Sequence, residues 1–125
     1  MKQIISTTKA PGAIGPYSQA VKTGNMLFTS GQIAIDPENG ELNLFDIPTE
    51  TAQVMNNMKA VLNEAGMNFS NVVKTSIFLS SMSDFAAVNE VYASYFEADY
   101  PARETVEVSK LPKGVNVEIS MIAVE

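Results

Sequence analysis

Only two stretches of this chain repeat apolar residues at helical spacing, while its other patterned stretches alternate; that proportion limits the fold more than any other feature. In the first, Ala52, Met55, Met58, Val61, Leu62 and Ala65 return every three or four residues. Asp46 precedes it as a cap, Pro48 is tolerated in a first helical turn, and Gly66 can end it. In the second, Ser83 is predicted to cap a helix from Asp84 to about Ala98. Its Phe85, Val88, Tyr92, Tyr95 and Phe96 fall on one stripe and read as core, as do the methionines of the first helix.

The alternating stretches supply the strands. Lys2–Ser6 forms a short edge strand, Ser18–Lys22 and Met26–Ile35 a hairpin about Gly24-Asn25, and Val72–Ser80 a strand with Val73, Thr75, Ile77 and Leu79 on one face. Lys9–Pro16 is a loop by its Pro-Gly and Gly-Pro pairs. Two more strands close the chain, one carrying Arg103 and one carrying Glu118, with a Leu111-Pro-Lys-Gly turn between them. The order β-β-β-α-β-α-β-β predicts an α+β fold, with two helices on one face of a largely hairpin-built sheet. Too many apolar residues are left on the other face for open solvent, so it is expected to close against copies of the same chain.

Composition bounds the chemistry. At 125 residues the chain holds one domain, 1–125, and its 46% apolar content indicates a folded protein. No apolar run is long enough to cross a bilayer, and nothing resembles a secretion signal or a disulfide framework, so the cytoplasm is the expected compartment. Cysteine and histidine are both absent, which excludes a thiol nucleophile, a Ser-His-Asp triad and an ordinary zinc site. The acids of Asp36-Pro-Glu-Asn-Gly40 have the wrong spacing for a calcium loop. A net charge of −6 with scattered lysines opposes nucleic acid. No metal or cofactor is expected.

Arg103, the only arginine, can grip a carboxylate with two parallel hydrogen bonds. Alternation puts Thr105 and Glu107 on its face and Glu104 on the other, so it serves as an acid anchor or as half of an ion pair with Glu107. Glu118, sharing a face with Asn116 and Ser120, is either an acid/base group or a structural carboxylate. The picture is of an anchor and an acid/base group brought together by adjacent strands. Gly31 marks a bulge, or the close approach of a ligand or another backbone.

Four separated motifs add to this reading: Ala13-Ile-Gly-Pro-Tyr-Ser-Gln-Ala20; Thr29-Ser-Gly-Gln-Ile33; Pro101-Ala-Arg103 with Val106-Glu-Val108; and Leu111-Pro-Lys113 followed by Val117-Glu118. In order and spacing, from about Ile4 to Val124, the chain resembles the Rid family, also called YjgF or RidA-like. The resemblance implies a chorismate-mutase-like α+β subunit in a homotrimer with sites between subunits. It implies cofactor-free hydrolysis of 2-enamine and 2-imine acids, such as 2-aminoacrylate, 2-iminopropanoate and 2-iminobutanoate, to 2-oxo acids and ammonia. Arg103 would then hold the substrate carboxylate and Glu118 would handle water and proton. Tyr17 would wall the pocket from a neighbouring subunit, Ser30 and the Gly31 backbone would border it, and Asn89 would line it or stand solvated on its helix. The chain departs from the family at Thr105, where many deaminating members carry cysteine; backbone and side chain there could still contact substrate. Two other functions compete: a non-catalytic trimeric sensor of 2-oxo acids, and a ribonuclease, which charge and the missing histidine oppose.

Overall fold

The computed structural model describes residues 1–125 as six strands and two helices. The strands are β1 (Lys2–Ile5), β2 (Ala20–Thr23), β3 (Met26–Thr29), β4 (Val72–Leu79), β5 (Ala102–Glu107) and β6 (Val117–Val124). The helices are α1 (Ile47–Glu64), between β3 and β4, and α2 (Phe85–Ala93), between β4 and β5. The expected order of elements is therefore present, and the α+β class with it. All six strands form one sheet in the order β1-β2-β3-β6-β4-β5, antiparallel throughout except for the parallel pair β4–β5. That parallel pair exists because α2 carries the chain back to the starting end of β4, the crossover that a parallel neighbour requires.

Both helices cover one face. On β6, Val117, Ile119, Met121 and Ala123 are buried beneath them, and Val54, Met55, Met58, Val61 and Leu62 of α1 are fully buried in the same core. Each of these valine, leucine, isoleucine and methionine side chains contributes about 1.5–3 kcal/mol of burial free energy. Helix α1 has the ends expected of it. The Asp46 side chain accepts from the Thr49 N–H at 2.7 Å. At the other end Gly66 turns left-handed at φ 76°, and the Met67 and Gly66 amides bond back to the Leu62 and Asn63 carbonyls.

Several boundaries differ from the sequence expectation. Helix α2 is shorter, and a separate turn, Met82–Asp84, precedes it with Ser81 and not Ser83 as the cap. After Ala93, Tyr95 and Phe96 bond to carbonyls only three residues back, and Asp99 turns to φ 55° ahead of the Tyr100-Pro101 pair, so the helix cannot continue. Phe96 nevertheless stays buried on the aromatic stripe. In β4 a bulge between Val72 and Lys74 moves Val73 to the exposed side, away from Thr75, Ile77 and Leu79. β2 starts at Ala20, and β3 ends at Thr29; beyond it only isolated bridges remain, Gln32 with Ile119 and Ile35 with Leu42. No helix is long and apolar enough to cross a membrane.

The remaining correction concerns the site. β5 and β6 are not adjacent; β4 lies between them. Arg103 stands opposite Thr75, which faces the helices, whereas Glu118 stands opposite Phe78 on the helix-free face. Within one chain, the anchor and the acid/base candidate are on opposite sides of the sheet.

Candidate functional site

Glu118 is placed by a break in β3. Pairing shifts by one residue between Phe28↔Ile122 and Gln32↔Ile119, so the segment through Ser30 and Gly31 contains a one-residue bulge. Meanwhile the Thr29 hydroxyl takes the Met121 N–H at 2.9 Å, and the Ser30 N–H turns to the Gln19 carbonyl, also at 2.9 Å. The bulge brings Gly31 against the Glu118 carboxyl. A Cβ on Gly31 would lie 2.0 Å from Glu118 Oε2 and 2.8 Å from its Cδ. The bulge reading of this glycine holds, whereas what approaches it closely is a side chain and neither a ligand nor another backbone. Burial alone pushes the Glu118 carboxyl above its ordinary pKa of 4.5.

Glu118 faces a cavity of about 540 Å³ that Tyr17, Ser30 and Gly31 also line. The Ser30 hydroxyl donates to the Ser18 carbonyl at 2.6 Å, leaving only its lone pairs for a ligand. Tyr17 is half-exposed. Its loop is held by Gln19, a buried residue that sequence reasoning passed over although it lies inside the first quoted motif. The Gln19 side chain accepts from the Thr7 N–H at 2.7 Å and donates to the carbonyls of Thr7, Ala10 and Pro11. An uncharged amide directly after a loop rich in Pro and Gly is the available signal, since such a loop needs its backbone groups satisfied from outside.

Arg103 belongs to a second pocket of about 500 Å³, with Asn89, Tyr92, Tyr100 and Pro101. Its guanidinium donates to Asn89 Oδ1 at 2.7 Å and lies 5.7 Å and 5.1 Å from the ring centres of Phe85 and Tyr92. No carboxylate neutralises it. The ion pairs are Lys22–Glu125 and Lys74–Glu104, and Glu107 instead accepts from the Met82 N–H at 2.8 Å. Asn89 is therefore a holder of the arginine and not a solvated helix residue. Thr105, two residues along β5 and opposite Ile77, has the one buried side-chain polar atom without a hydrogen-bond partner, its hydroxyl oxygen.

The predicted residues thus form two groups: Tyr17, Ser30, Gly31 and Glu118 in one cavity, and Asn89 and Arg103 in another, with Thr105 beside the second. The first offers a proton acceptor of raised pKa; the second offers a rigid, unpaired cation suited to a carboxylate.

Comparison with known proteins follows the same lines. The family model described as endoribonuclease L-PSP matches residues 7–125. The chain is 54% identical to a RutC family protein of Pyrococcus horikoshii over 98% of both chains. It is 46% identical to the human 2-iminobutanoate/2-iminopropanoate deaminase, over all of this chain and 91% of the human one. A solved Yersinia pestis protein of the conserved Rid family, of unknown function, superposes over all of both chains with a TM-score of 0.98 and 48% identity. With motifs, fold and relatives in agreement, the chain belongs to the endoribonuclease L-PSP family, the Rid or YjgF family.

Proposed function

We propose that this protein hydrolyses 2-imine acids, and the enamines that tautomerise to them, giving 2-oxo acids and ammonia, with active sites assembled between the subunits of a homotrimer. The observation that carries the reading is the division of the site. An unpaired arginine and a carboxyl of raised pKa sit on opposite faces of one sheet, so each half lacks what a second copy would bring. The 46% identity to a named imine deaminase supports the reaction type.

In this mechanism Arg103, steadied by Asn89 and two aromatic rings, binds the substrate carboxylate; a charge-assisted hydrogen bond of this kind is worth about 1.5–3 kcal/mol. Glu118 of the facing subunit takes a proton from water as its oxygen adds to the imine carbon. That proton passes to the imine nitrogen, so the adduct carries hydroxyl and amino groups on one carbon. Glu118 then takes the hydroxyl proton and gives it to the amino nitrogen, the C–N bond breaks, and ammonia leaves as the C=O forms. Such proton transfers contribute on the order of 10²–10⁴ in rate. Tyr17 walls the reacting end, Ser30 and the Gly31 backbone border it, and the unpaired Thr105 hydroxyl gains a partner when substrate binds.

The deciding assay generates the imine in place with an amino-acid oxidase or a serine or threonine dehydratase, and traps what escapes with semicarbazide. Wild type should deplete the trapped imine, and Arg103→Ala should not. Because the Arg103 pocket can bind a 2-oxo acid without Glu118, a sensor is the second reading. A wild type inactive on two-, three- and four-carbon imines that still binds 2-oxobutanoate would favour it. A ribonuclease is opposed by the charge of −6. Absence of RNA binding at low salt would dispose of it.

A further inference from the structure

Glu50 is fully buried in the first turn of α1 and belongs to no ion pair. Its Oε2 accepts from the backbone N–H groups of Asn116, at 2.7 Å, and Val117, at 3.0 Å. Its Oε1 accepts from the Asn116 side-chain amide at 2.7 Å. A carboxylate buried without a cation is costly, and packing alone would be served by an apolar side chain of similar volume.

What this carboxylate holds is the segment joining two walls of the Glu118 cavity. Pro112 and Lys113 line that cavity, as Glu118 does. Between them the chain makes two successive left-handed residues, Lys113 at φ 56° and Gly114 at φ 69°, then buries Val115 before β6 begins. Left-handed backbone is unfavourable for a lysine and persists only where its surroundings impose it. Glu50 bonds the two residues that follow Val115, and Glu118 comes immediately after them.

We propose that Glu50 is a positioning residue for the reaction proposed above: by holding the backbone at Asn116 and Val117 it sets where the Glu118 carboxyl stands against Gly31 and where the Pro112–Gly114 turn closes the cavity. The rate effect rests on the imine-deaminase reading; the geometric effect does not. Reach is what matters here, and charge is secondary. A glutamine at position 50 can accept both backbone bonds through its carbonyl oxygen. Its amide can then donate to Asn116 once that carboxamide turns over and the Ser80 hydroxyl, now a donor to Asn116 at 3.2 Å, turns to accept.

The test compares Glu50→Asp, Glu50→Met and Glu50→Gln in the coupled imine assay. Aspartate keeps the charge but falls a methylene short. Aspartate and methionine should lower kcat by about 10²-fold, the loss that follows a small misplacement of a reacting group, with KM within about twofold. Glutamine should restore kcat to within about threefold of wild type. An aspartate variant with wild-type kcat, a rise in KM alone, or a lower melting temperature with unchanged kinetics would overturn the proposal. Should the methionine variant fail to fold, the aspartate–glutamine pair decides. A wild type inactive on every imine sinks the deaminase reading, and the Gly31 and Glu118 amide resonances then judge Glu50. Their displacement by aspartate and recovery with glutamine upholds it; unchanged resonances in both overturn it.

Discussion

Gly31 and Glu118 occupy what would be a single volume for any larger pair, since a Cβ on the glycine would meet the carboxyl oxygen at 2.0 Å. The contact shields the carboxyl on one side and leaves it to the cavity on the other, and the resulting burial raises its pKa. A proton acceptor poised in this way is useful for chemistry and unfavourable for folding. The sign follows from linkage. A carboxyl whose folded pKa lies above its unfolded value of 4.5 holds its proton more tightly in the native state. Its contribution favours folding below the unfolded value and is lost as pH rises through the folded one. Glu118→Gln, which never acquires the charge, should therefore melt above wild type at neutral pH while losing the reaction. The gap should close near about pH 4, where the wild-type carboxyl is protonated as well. Thermal melts of both proteins across that range check it, and a gap that persists at low pH would assign the difference to packing.

At the scale of elements, α2 is tied to β4 by one buried bond, from the Tyr92 hydroxyl to Thr75 Oγ1 at 3.0 Å. Thr75 is fully buried, so Tyr92→Phe strands its hydroxyl and should cost about 1–3 kcal/mol in urea unfolding. Adding Thr75→Val removes the stranded group and should recover most of the loss. KM should barely change in either variant, because the ring beneath Arg103 remains. What could be read beforehand followed how local each signal is. Asp46, Pro48 and Gly66 announce both ends of α1 within a few residues of sequence. The end of α2 depends on how Asp99 and Pro101 redirect the chain, and the β4 bulge at Val73 depends on its partner strand. Strand neighbours are less legible still, which is why Arg103 and Glu118 were expected on adjacent strands although β4 separates them. The choice of residues does not depend on which strands are neighbours, since a lone arginine and a strand-borne glutamate suggest their chemistry wherever the sheet puts them. Glu50 was legible only as an acid on the apolar side of a helix; its partners lie more than sixty residues away.

The whole molecule presents a sheet with one finished face. On the other, Ile4, Val21, Phe28 and Ile122 line up across β1, β2, β3 and β6, with Phe78 and Val106 beside Glu118 on β4 and β5. Phe28 and Val106 are exposed in the single chain, and such a patch is the kind of surface that a symmetric oligomer covers. Arg103 sits on the edge strand β5 and Glu118 on this open face, so an assembly that buries the face can bring one subunit's edge to its neighbour's cavity. Subunit mixing tests this directly. Arg103→Ala and Glu118→Gln are each expected to be inactive alone. If every site takes its arginine from one subunit and its glutamate from the next, subunits unfolded together and refolded at equal ratio regain intact sites. Random assembly of a cyclic trimer predicts recovery of about a quarter of wild-type activity. Should both groups of a site instead come from one chain, no mixture recovers anything. Mixing the folded proteins without refolding is the control, and activity appearing there only slowly would measure how often subunits exchange.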